Sequence, residues 1–207
     1  MSNNLAVTDQ TSGTRPRWSI VGGGSLLTGA LVLLVATILE YFVWHTDTLA
    51  TGVFVLFSIL FLANIVLYLV AMVALGFADG GIAGPSIIGR TGLVLFGVGW
   101  AVQQIIYWSG YFTGSLPTAV TTLSIIALIV TYLGAIAAAV VIALGGVVGG
   151  LARWALIIGF AIAGICAGIA NSQSDQVLTT VLLSLSCVAQ AFVGLSYLRS
   201  RRRPASL

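Results

Sequence analysis

Charge is what this sequence has least of. Only 6% of its 207 residues are Asp, Glu, Lys or Arg, 59% are hydrophobic, and the mean hydropathy is +1.12. An ordinary soluble domain carries roughly 25% charged residues. Thirteen formal charges cannot coat a globule of this size in water, which excludes a soluble enzyme, a nucleic-acid binder and a disordered chain. Lysine is missing altogether, since all eight basic residues are Arg. Its absence removes every mechanism that needs a lysine amine, Schiff-base formation among them. Histidine occurs once, as His45, so one chain cannot build a bis-histidine haem site or a multi-histidine metal site.

Motifs of catalysis are missing too. The chain contains no HExxH, GxSxG, CxxC or Walker sequence. The glycine-rich stretch Gly80-Gly81-Ile82-Ala83-Gly84-Pro85 lacks the lysine that phosphate cradling requires, and reads as a flexible linker. Neither a cofactor nor a metal is expected. Cys166 and Cys187 are expected to stay unpaired: their depths in the helices proposed below differ by ~10 Å, beyond the reach of a disulfide. They read as small apolar packing residues.

What the sequence has in quantity is long apolar runs. Crossing ~30 Å of hydrocarbon at ~1.5 Å per residue takes about 20 apolar residues in a helix. Six segments qualify, approximately 18–44, 49–75, 91–112, 117–145, 151–170 and 176–198. Pro117 suits a first helical turn, with Ser115 as its cap. The expected fold is an all-α integral membrane protein of six transmembrane helices arranged as three helical hairpins. Arg17, Arg90 and Arg153 each open an odd-numbered span, in keeping with such a repeated plan.

Arginine sets the orientation. With six spans, Arg15, Arg17, Arg90, Arg153, Arg199, Arg201, Arg202 and Arg203 all fall on one side, whereas five or seven spans would divide them. The positive-inside rule makes that side cytoplasmic, giving both termini inside and a multi-pass protein of the bacterial inner (plasma) membrane. Residues 1–16 read as a disordered polar tail, 17–199 as the membrane domain with an uncleaved first helix, and 200–207 as a basic tail. Arg199, Arg201, Arg202 and Arg203 form a juxtamembrane cluster that serves as a topology anchor or attracts anionic lipid headgroups.

Small residues supply the expected packing. Gly134 and Ala138 give the fourth span a small-residue stripe, and Gly164 and Gly168 form a GxxxG in the fifth. Such stripes let helix backbones approach closely where lipid offers no hydrophobic drive. Tight packing of these two spans is expected within the chain, with a subunit contact as the alternative.

One ionisable residue, Glu40, stands inside a span, one turn from the outer end of its helix. At that depth a carboxylate reaches water, so its plainer reading is a headgroup-level residue. The other reading comes from the third span, where Trp100, Gln104, Tyr107 and Tyr111 recur at helical spacing as one polar-aromatic stripe. With Asn64 in the second span, these residues are the candidates for a small polar cavity in the outer half. Interhelical hydrogen bonding is the alternative use for them. The leading functional expectation is a non-enzymatic accessory or structural component of a membrane assembly, with membrane lipids and a protein partner or second copy around it. The alternatives are a small transporter or channel component using Glu40 as a proton or cation site, and a lipid or hydrophobic-ligand binder with an outer-leaflet groove.

Overall fold

The computed structural model describes residues 15–45, 52–113, 117–145 and 147–201, with the side chains of Trp44 and His45 excepted. Most of the expected N-terminal tail, together with Ser115, Arg202 and Arg203, lies outside the described residues. Six helices are long and apolar enough to cross a membrane, and the described residues contain no strand. A π-helical turn, Trp18–Gly23, leads into α1, Gly24–His45. The others are α2, Gly52–Phe77; α3, Ile87–Thr113; α4, Thr118–Gly145; α5, Ala152–Ala170; and α6, Gln176–Leu198. Asp175 caps α6 by accepting the backbone N–H groups of Val177 at 2.8 Å and Leu178 at 3.2 Å.

Each helix packs on its neighbour in sequence, and α6 returns to α1, so the six form a closed ring. The backbones approach closely where side chains are smallest. A Cβ on Gly134 would lie 2.7 Å from the Gly92 carbonyl oxygen of α3, and one on Gly194 of α6 would lie 2.4 Å from the Leu27 nitrogen of α1. The stripe of Gly134 and Ala138 thus does bring two helices together, but the partner is α3. Side chains on the ring's outer face are apolar and exposed, for example Ile59 (60%), Leu133 (62%) and Leu144 (73%). That composition faces lipid without cost and would be an aggregation hazard in water.

The two ends of the ring differ. Arg17, Arg90, Arg153 and Arg199 gather at one end, where Trp18, Leu75, Ile82, Ile142, Val148 and Tyr197 form a dense core that closes the ring. The segment between α2 and α3, expected to be a flexible linker, is part of this closure. Ile82 is 0% and Ala83 2% exposed, and the Ile82 N–H donates to the Leu75 carbonyl at 2.8 Å. The Arg90 guanidinium ties the same segment down from α3, donating to the Gly84 and Gly80 carbonyls at 2.9 and 3.1 Å. Gly81, at φ +67°, makes the turn and lies so close to Gly76 that a Cβ would meet its carbonyl oxygen at 2.2 Å. The glycines serve to fold the segment inward and hold it there, and the nearby arginine takes up its exposed carbonyls. A second apolar cluster, with Phe54, Phe57, Phe61 and Ala36, joins α1, α2 and α3.

Candidate functional site

Above the closed end, the ring encloses a cavity of about 350 Å³ to which all six helices contribute. Its floor is apolar, with Leu26, Met72, Leu156 and Val193, and its lining reaches Thr37 and Glu40 on α1 and Thr179 at the start of α6. Aromatic rings come from four helices: Phe61 and Tyr68 on α2, Phe96, Trp100 and Tyr107 on α3, Tyr132 on α4 and Phe160 on α5. Among the described residues, Glu40 is the only charged one in the lining.

Glu40 is 8% exposed, its carboxylate packed within the protein. The Tyr107 and Tyr111 hydroxyls, one helical turn apart on α3, both donate to its Oε1. A spacing of four residues stacks them on one helix face, which is what lets two phenols converge on one oxygen. Oε2 accepts no hydrogen bond from the described residues. Behind this arrangement, Tyr111 packs on Phe54 and Phe57 with ring centroids 5.9 and 5.4 Å apart, and Tyr107 lies 6.0 Å from Phe61. These rings pack around the phenols and hold them in place.

Deeper in the ring a second polar group crosses from α2 to α6. The Tyr68 hydroxyl donates to Gln190 Oε1, and Gln190 Nε2 donates to the Ser186 hydroxyl at 3.3 Å. Trp100 lies over Tyr68 with centroids 5.3 Å apart. Between the two polar groups sits Gln104, whose amide has no hydrogen-bond partner among the described residues and faces the cavity wall. Gln103, by contrast, is tied to α4 through a 2.6 Å bond from Nε2 to the Ser124 carbonyl.

Four of the six cavity candidates read from the sequence therefore line one space: Glu40, Trp100, Gln104 and Tyr107. Two do not. Asn64 is 0% exposed and outside the lining, its Nδ2 donating at 2.9 Å to the Gly29 carbonyl, so it joins α2 to α1. Tyr111 stands behind Glu40 as a hydrogen-bond donor, outside the lining. The walls from α4 and α5 were missed as a site, because Tyr132 and Phe160 carry no periodic polar signal in their own helices.

Among the described residues, the expected tight packing around Gly164 and Gly168 is not seen. A Cβ on Gly168 would meet nothing within 4 Å, and one on Gly164 only the Tyr132 ring edge at 3.8–3.9 Å. The contact of α4 with α5 is the slightest in the ring. It is held by Tyr132 on Phe160 at 5.2 Å and by the small residues Ala139, Ala152 and Ala155 of the closed end. Beyond Phe160 the two helices part, and Ala163, Gly164 and Ala167 border the cavity on the parted side. Arg199 and Arg201 are exposed at the closed end. Both thiols are free, Cys187 buried and Cys166 partly so, and among the described residues no three His, Cys, Asp or Glu come together to hold a metal.

No family model matches the chain, and no curated protein or solved structure is similar to it.

Proposed function

We propose that this is a non-enzymatic membrane protein that holds a small amphipathic molecule inside its helical ring, with Glu40 as the polar anchor. The observation that carries this reading is a cavity of about 350 Å³ with a nearly buried carboxylate in its wall. Ligand sites typically occupy ~300–1,000 Å³, mostly apolar with a few convergent polar groups. A cavity maintained only for packing would be filled by side chains, because voids in a bundle forfeit contact energy. In the cell membrane, the positive-inside rule directs the arginine end and both termini to the cytoplasm. On that orientation, with the helices paired as three hairpins, the cavity belongs to the outer half.

The reading is tested by blocking the cavity from its margin. Gly164→Trp places an indole at the parted side of α4 and α5, where a Cβ meets only the edge of Tyr132. Native mass spectrometry of protein released from nanodiscs is expected to show a small-molecule or lipid adduct on the wild type and none on the folded variant. Equal adducts on both would overturn the reading.

A second reading, an accessory component of a membrane assembly, is favoured by the bare small-residue face of outer α5. A GxxxG left unpaired within a chain is available to a neighbouring helix. Gly168→Leu is then expected to release a co-purifying partner or second copy. An unchanged set of partners would count against it.

A further inference from the structure

From the charge and lining of the cavity, we infer that its ligand is a small organic cation with an apolar body, taken up from the lipid between α4 and α5. The inference rests on the ligand-binding reading above and gives it a chemical class. A carboxylate within the hydrocarbon layer is costly unless it is paired. Glu40 has two phenolic donors on Oε1, yet among the described residues Oε2 has no partner and no cationic side chain borders the cavity. The described arginines that the ring could have offered are engaged elsewhere: Arg90 holds the carbonyls of the closing segment, and Arg153 donates to the Ala143 carbonyl. An ionised Glu40 therefore has no counter-charge among the described lining residues, and a bound cation would supply one.

The rest of the lining says what kind of cation fits. A bare metal ion replaces its hydration shell with several oxygen ligands. Here Glu40 is the only carboxylate among the described lining residues, and both phenols point their hydrogens at it. Aromatic faces are abundant instead, from Trp100 and Tyr68 through Phe61 to Tyr107. Such faces attract alkylammonium groups through the ring quadrupole, most strongly where water is excluded. The apolar floor of Leu26, Met72 and Val193 suits a hydrocarbon body. An amphiphile of this kind concentrates in the headgroup region, and the parting of α4 from α5 beyond Phe160 is the side on which the ring is least closed toward lipid.

A matched pair of probes tests the class. Benzyltrimethylammonium and its uncharged isostere neopentylbenzene differ only in nitrogen for carbon, hence in charge. Binding to the full chain in nanodiscs is followed by quenching of tryptophan fluorescence. The wild type is expected to bind the cation at least about tenfold more tightly than the isostere, the size of a desolvated cation–π and carboxylate interaction. Glu40→Gln, which still offers Tyr107 and Tyr111 an acceptor, is expected to lose that preference while retaining the isostere. Equal binding of both probes by the wild type overturns the cation assignment and leaves the ligand-binding reading standing. If neither probe binds, and Gly164→Trp does not alter the adducts described above, both readings fall. Displacement of the cation by millimolar sodium or potassium would overturn the organic class in favour of an inorganic site.

Discussion

Glu40 shows how much one residue's neighbours decide. As a carboxylate one turn from a helix end it had an ordinary use at the headgroups, and the sequence supported that as well as any other. Its 8% exposure and the two α3 phenols on Oε1 show a carboxylate packed within the protein instead of standing free on its surface. A hydrogen bond to a charged group is typically worth ~1.5–3 kcal/mol in water-soluble proteins, and interhelical ones in membranes average about 0.6. Tyr107→Phe and Tyr111→Phe are each expected to lower stability by about 1 kcal/mol. The double variant should lose more than the sum, because the carboxylate then has no donor on either oxygen. Reversible unfolding in mixed micelles reads all three, and strict additivity would show that the two phenols act independently of Glu40. Asn64 teaches the converse. Its polarity suggested the cavity, but its Nδ2 donates to the Gly29 carbonyl, a use that only the pairing of α1 with α2 makes available.

Among the helices, small residues do the same work in some places and none in others. Gly194 and Gly134 sit where two backbones cross, and a Cβ there would run into main-chain atoms that cannot move aside. Gly168 belongs to the GxxxG of the fifth span, yet a Cβ there meets open space. Gly194→Ala is therefore expected to destabilise the protein by about 1–3 kcal/mol through forced separation of α1 and α6. Gly168→Ala is expected to be neutral or to stabilise by up to about 1 kcal/mol, since alanine is the better helix former. Thermal unfolding in detergent compares the two, and the reverse ranking would refute this assignment of helix contacts. Spans were legible because length and hydropathy are set by bilayer thickness, a property of each segment alone. Which glycine touches which helix was not, because GxxxG records only that a close approach is possible. Likewise, a lone arginine beside glycines gave no sign that the segment before α3 would be buried, since its carbonyl partners lie on a different element.

At the scale of the whole molecule, closure of the ring at one end and parting of α4 from α5 toward the other create the site. The stripe on α3 was readable from its spacing of four, three and four residues, because one helix fixes its own angular order. Opposite that stripe stand Phe160 of α5 and Gln190 and Ser186 of α6, and only the return of α6 to α1 sets them across a shared space. Six apolar helices, a bilayer as solvent and one end rich in arginine were determined by the sequence itself. They depend on the transfer energies of single residues and segments, which add along the chain. The cavity, the buried carboxylate with one oxygen unpartnered, and the seam beside α5 were decided by tertiary structure alone. Each depends on side chains from different helices meeting or failing to meet, and local pattern does not encode that geometry.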